Sequence, residues 1–166
     1  MLIIDNYHFK DDCRTPNNPS LPLLVYKQAL DSHHTPEACS ELFQSNEWHG
    51  VWVNGVYPYH HFHTTAHEVL GVVGGEGSIL MGGENGKTLE VQKGDVLIIP
   101  AGVGHKKVLA SPDFQVVGAY PSGQSADLMK TGEQHHSKAA ANIQQVKLPR
   151  TDPIYGKKGP MFDHWK

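Results

Sequence analysis

The chain has 166 residues, enough for one domain that buries roughly two-thirds of its unfolded surface. Its formal net charge of −3 gives no electrostatic reason to expect nucleic acid or an anionic membrane as a partner. Two cysteines, Cys13 and Cys39, make no disulfide framework, no apolar run approaches the ~20 residues of a membrane helix, and MLIIDNYHFKDD lacks the basic start and long apolar core of a signal peptide.

Residues 1–50 read as a lead-in, a strand and a helix packed against the rest of the domain. LPLLVY (21–26) predicts the strand, with Pro22 near its start, where a missing donor does least harm. TPEACSELFQSNEW (35–48) predicts the short helix. Thr35 can cap it, Pro36 suits its first position, Glu37 favours the positive end of its dipole, and Ala38, Leu42 and Phe43 share an apolar face. Between residues 51 and 120, glycines and prolines punctuate short apolar runs. These predict strands at VWV (51–53), YHHFH (59–63), EVLGVV (68–73), GSILMG (77–82), TLEVQ (88–92), DVLIIP (95–100), HKKVLA (105–110) and FQVVGAY (114–120). The spacing suits a meander or jelly roll rather than βαβ units. Residues 121–166 are polar and proline-rich, and predict an arm of the same domain laid over the barrel or over a partner subunit.

Two blocks carry chemistry. The first, GVYPYHHFHTTAHEVLGVVGG, holds His61, His63 and Glu68; the second, GDVLIIPAGVGH, ends on His105. Strand alternation puts His61 and His63 on one face and His60 and Phe62 on the other. All four can converge if each block is a pair of antiparallel strands, with Glu68 opening a strand beside the one that carries His61 and His63. One carboxylate and three neutral imidazoles suit a divalent Mn, Fe, Co, Ni, Cu or Zn ion. His67 competes with Glu68 for the fourth place, and alternation forbids both from facing inward. Tyr59 shares parity with His61 and is expected to line the cavity and offer its hydroxyl to a ligand; the alternative is a ring packed in the core. Lys107 shares parity with His105. A regular strand would turn it inward against an anionic ligand or a carboxylate, whereas a twist would release the ammonium to solvent. The pair His135 and His136 reads as surface, and Trp48, Trp52 and Trp165 as core or interface anchors.

The two blocks resemble the two motifs of the cupin superfamily, G-x5-H-x-H-x3–4-E-x6-G and G-x5-P-x-G-x2-H-x3-N. Gly55, His61, His63, Glu68 and Gly75 meet the first; Gly94, Pro100, Gly102 and His105 meet the second, with Leu109 in place of the closing Asn. The register to Gly75 selects Glu68 over His67. The resemblance implies an all-β, double-stranded β-helix or jelly-roll barrel with a metal held inside by His61, His63, Glu68 and His105. It also implies a small-molecule ligand and a homodimer. The missing Asn puts a structural hydrogen bond in doubt, not a ligand.

Three readings of function stay open at this point. They are a metal-dependent oxygenase or related oxidoreductase on a small organic substrate, a metal-dependent isomerase or lyase, and a non-enzymatic binding domain. Acireductone dioxygenases share the ligand types and approximate length, but their first motif continues with an acidic run where this chain has TTAH. The first fifty residues are too short and too poor in helix for a DNA-binding helix-turn-helix. A cytoplasmic protein with ordinary thiols, and with neither nucleic acid nor membrane as partner, is the expectation.

Overall fold

Near-continuous apolar runs, rather than strict alternation, mark the strands whose two faces are both covered. In LLVY, EVLGVV and VLII every residue is buried. The computed structural model describes residues 2–132 and 136–166. The predicted His135 lies outside them. The chain runs β1 (Ile3–Tyr7), β2 (Leu23–Lys27), α1 (Pro36–Ser45), β3 (Trp48–Asn54), β4 (His61–Phe62), β5 (Glu68–Gly74), β6 (Glu76–Met81) and β7 (Lys87–Gln92). It continues with β8 (Val96–Ile99), β9 (His105–Ala110), β10 (Gln115–Pro121), β11 (Met129–Lys130), α2 (His136–Gln144) and a 3₁₀ turn at Pro160–Asp163. The architecture is mostly β, as expected. A six-stranded sheet has the order β1-β2-β8-β5-β10-β3, and a five-stranded sheet the order β11-β4-β9-β6-β7.

Strand alternation divides the core into two layers. Leu23, Val25, Leu70, Val72, Leu97 and Ile99 point between the sheets, where they meet Ile79, Met81 and Val91. Leu24, Tyr26, Val69, Val73, Val96 and Ile98 point outward from the larger sheet, under α1 and the C-terminal segment. Helix α1 begins as its sequence dictates, with the Thr35 hydroxyl accepting from Ala38 N at 3.1 Å and Pro36 in the first turn. It ends three residues before the predicted limit, because Trp48 already opens β3. Cys39 and Phe43 are its buried residues, so the apolar face is rotated from the predicted one. Gly71 admits this helix: a Cβ there would sit 2.7 Å from Cys39 Sγ and 3.0 Å from Phe43 Cζ.

Pairing departs from expectation in one consequential way. The two strands of each motif block do not pair with each other. β4 and β9 lie in the smaller sheet while β5 and β8 lie in the larger one, so each block crosses from one sheet to the other. β4 pairs with β9 and β5 with β8, which means the blocks pair with one another. The second crossing turn needs Gly102 at φ +92°, where a Cβ would also collide with the Asn17 main-chain oxygen. Buried Asn17 and Asn18 hold that turn from the lead-in, through Asn17 Oδ1 accepting from Gly104 N (3.2 Å) and Asn18 Nδ2 donating to Ala101 O (3.0 Å).

The described residues beyond β10 fold back on the same chain. Trp165 is fully enclosed with its indole N–H donating to Pro22 O at 2.8 Å, and Thr151 O accepts from Trp48 Nε1 at 2.9 Å. Among the described residues, no helix is long and apolar enough to cross a membrane.

Candidate metal centre

The crossing of the blocks is what gathers the donors. β4 sets His61 directly opposite His105 on β9, and Glu68 starts β5 on the facing sheet. Glu68 Oε1 lies 3.3 Å from His63 Nε2 and 3.4 Å from His105 Nε2. His63, Glu68 and His105 offer donor atoms that all lie within 4.8 Å of one another. His61 stands beside this group without joining it: its ring centroid is 4.0 Å from that of His105 and 6.1 Å from that of His63, but the donor atoms gathered within 4.8 Å are those of the other three residues.

Each imidazole is oriented by a carbonyl. His61 Nδ1 donates to Tyr59 O at 3.0 Å, His105 Nδ1 to Val103 O at 3.1 Å, and His63 Nδ1 to Asp127 O. A carbonyl can only accept, so the neutral rings carry their proton on Nδ1 and leave Nε2 with its lone pair. For His63 and His105 that lone pair faces the Glu68 carboxylate. Lone pairs and a buried carboxylate face to face require something positive between them, a proton on Nε2 or a metal cation. Contacts of 3.3–3.4 Å match donors each roughly 2.1 Å from a shared cation. The donor set fits a transition metal.

Titration behaviour follows from the same crowding. Burial, reinforced by His105, lowers His61 to about 3, so this ring stays neutral. Burial also opposes charge on His63, but the Glu68 carboxylate outweighs it and the net direction is upward. For Glu68 burial works against ionisation, while His105 and His63 overcome it and hold the carboxyl well below its ordinary range.

The cluster forms one wall of a cavity of about 510 Å³. Trp52, Tyr57 and Tyr120 supply its aromatic sides, and Lys107 is the one ammonium lining it among the described residues. Lys107 also lies in no ion pair among them. Tyr59 departs from expectation. It sits in the bend at residues 58–59, where strand alternation does not hold, and it is absent from the cavity wall. Its ring stacks on Tyr57, with centroids 5.0 Å apart, and lies under the Lys130 ammonium at 4.8 Å.

His67 faces away from the cluster. It is fully enclosed, its Nδ1 accepts from Ala101 N at 2.8 Å, and its ring packs 4.8 Å from Trp165. His136 opens α2 and reaches Asp11 at 2.8 Å. Leu109, in the place of the motif's closing Asn, is 71% exposed beyond a register shift in β9. Three residues at the centre escape sequence reasoning. Trp52, expected as an anchor, stands against Gly118, where a side chain would strike its indole, and donates from Nε1 to Tyr120 Oη at 2.9 Å. Tyr120 is half-buried beside Glu68, and burial and that carboxylate both push its hydroxyl above the ordinary range. Asp127 carries no motif at all.

The sequence model of a family described as Cupin matches residues 53–127. Over 160 residues, 96% of this chain and 94% of its relative, the sequence is 44% identical to the uncharacterized protein YjlB of Bacillus subtilis (strain 168). Among solved structures, an acireductone dioxygenase from Bacillus anthracis with a cadmium ion in its active centre aligns with TM-score 0.39 and 19% identity over 59% of this chain and 76% of that one. A DUF861 family protein from Thermotoga maritima aligns with TM-score 0.35 and 23% identity over 51% and 89% of the two chains. A salicylate 1,2-dioxygenase variant from Pseudoaminobacter salicylatoxidans in complex with gentisate gives TM-score 0.36 and 16% identity over 80% and 30%.

Proposed function

The chain belongs to the cupin family, and from that membership we propose that it holds a divalent transition metal through His61, His63, Glu68 and His105. We propose further that it acts as an oxygenase or related oxidoreductase on a small organic anion. The observation that carries this reading is a buried carboxylate facing two oriented imidazoles, in the wall of a cavity large enough for a small molecule. A redox-capable ion bound there supplies Lewis acidity and a route for electrons to an oxidant.

The chain's own residues do the rest. Glu68 offsets one unit of the ion's charge. Lys107 supplies the ammonium that anchors a carboxylate or enolate, because no acid of the cavity pairs with it. Tyr120 keeps its proton at neutral pH and so can donate to a substrate oxygen. Trp52 and Tyr57 give the cavity aromatic flanks against which an organic substrate can pack. The reading extends to a homodimer in the cytoplasm. Exposed Val53, Val108 and Leu128 support association, and the two free thiols support a reducing compartment.

The test begins with protein purified without an affinity tag, its metal content measured by elemental analysis. Each candidate ion is then restored in turn, and oxygen uptake is followed with a panel of small carboxylates and dicarbonyls. Stoichiometric iron, manganese, nickel or copper with anion-dependent uptake is the expected result. Failure of every ion to bind ends the metal reading. A bound ion with ligand affinity but no turnover replaces the enzyme with a binding domain.

A further inference from the structure

His61 and His105 are oriented by the residues that lead into their own strands, each through the carbonyl two residues back. His63 is different. Its Nδ1 meets the carbonyl of Asp127, 64 residues away, in the segment between β10 and β11. That segment is strapped to the turn just after His63. The Asp127 carboxylate accepts from Thr64 N at 2.6 Å and from the Thr64 hydroxyl. The Thr65 hydroxyl accepts from Asp127 N at 3.1 Å and donates to Ser125 O at 2.6 Å. Ala126, Asp127 and Leu128 also form part of the cavity wall.

We infer that Asp127 is a positioning residue of the metal centre. Its side chain grips Thr64, and its main-chain carbonyl thereby fixes the His63 ring with Nε2 toward Glu68 and His105. The strap that walls the cavity is therefore the strap that aims a ligand, and displacement of one loosens the other. This rests on the metal reading above, and it adds a residue outside both motif blocks. The coupling has a clear physical basis: four hydrogen bonds join the carboxylate and amide of Asp127 to Thr64 and Thr65, and three of them end on the carboxylate.

The experiment is a competition titration of the full chain with zinc and with cobalt(II), comparing the unaltered protein with D127A, D127N and T64V. D127A is expected to weaken metal binding by about 10- to 100-fold and to shift the cobalt visible bands, while the far-ultraviolet circular dichroism persists. D127N keeps an oxygen for Thr64 N and is expected to recover most of the affinity. Should D127A fail to fold, T64V carries the test, because it removes one hydroxyl from the same grip and is expected to weaken binding several-fold. Affinity and cobalt spectrum unchanged in D127A, or in T64V if D127A does not fold, overturn the role of Asp127 and leave the metal reading standing. An unaltered protein that binds neither ion sinks both.

Discussion

Neighbouring side chains at residues 67 and 68 meet opposite demands, and the contrast defines the site at the scale of single groups. Glu68 is held ionised among imidazoles, whereas His67, one residue earlier and on the other face, is held neutral by burial that lowers it to about 4. Because the folded value lies below the unfolded 6.5, the unfolded chain takes up the extra proton. Stability from this group is therefore complete above about pH 6.5, declines as pH falls toward 4, and levels off below that. H67Q removes the titration while keeping an acceptor for Ala101 N. With metal stripped by a chelator, urea unfolding at pH 7 and pH 5 should show the unaltered chain losing about 2 kcal/mol more than H67Q on acidification. Metal content of H67Q at pH 7 should match that of the unaltered chain by elemental analysis. Equal acid slopes would mean that His67 is not the buried neutral group described, and loss of metal would place it among the ligands.

Among the elements, the contact between α1 and β5 depends on a glycine, and it puts a measurable load on one position. G71A would press a methyl group against Cys39 Sγ and Phe43, and should cost about 1–3 kcal/mol in equilibrium unfolding. In a C39A background the space reopens, so at least half of that cost should return; an undiminished cost would put the strain elsewhere. The strands that enclose this contact are legible in the sequence, because LLVY, EVLGVV and VLII are buried on both faces and read as unbroken apolar runs. β4 is legible only in part. Its predicted YHHFH pairs at His61 and Phe62 alone, since the bend before it and the crossing after it take the remaining residues. β1 and α2 escape a reading by pattern, the first because IIDNY lies at an edge with no alternation to betray it, the second because HSKAAANIQ buries just Ala139 and Ile143. Motif spacing points to His61, His63, Glu68 and His105, of which the structure gathers the donor atoms of the last three, but not to how. Spacing within a block says nothing about which sheet each strand joins, and so the crossing, and with it Asp127, stays hidden.

Across the whole molecule, residues 151–165 complete the outer layer of the core. Trp165 and Met161 are fully enclosed beside Trp48, Phe43 and Tyr26. Asp152, also enclosed, accepts from Tyr26 Oη at 2.5 Å and from Met161 N at 3.2 Å. The larger sheet thus has its second face covered jointly by α1 and by residues near the end of the chain. Trp165 further touches His67, which precedes Glu68, so the same indole braces the start of β5. Replacing it tests whether this segment is a cover or a structural member. W165A should lose about 3–5 kcal/mol, the range for deleting a buried aromatic ring, and lower Tm by on the order of 10 °C in a chain of this length. L109S, at a site 71% exposed, should leave Tm within about 2 °C of the unaltered chain and serves as the control for handling. A W165A protein that melts with the control would make the C-terminal segment dispensable to the barrel, and the outer core would then have to draw its stability from α1 alone.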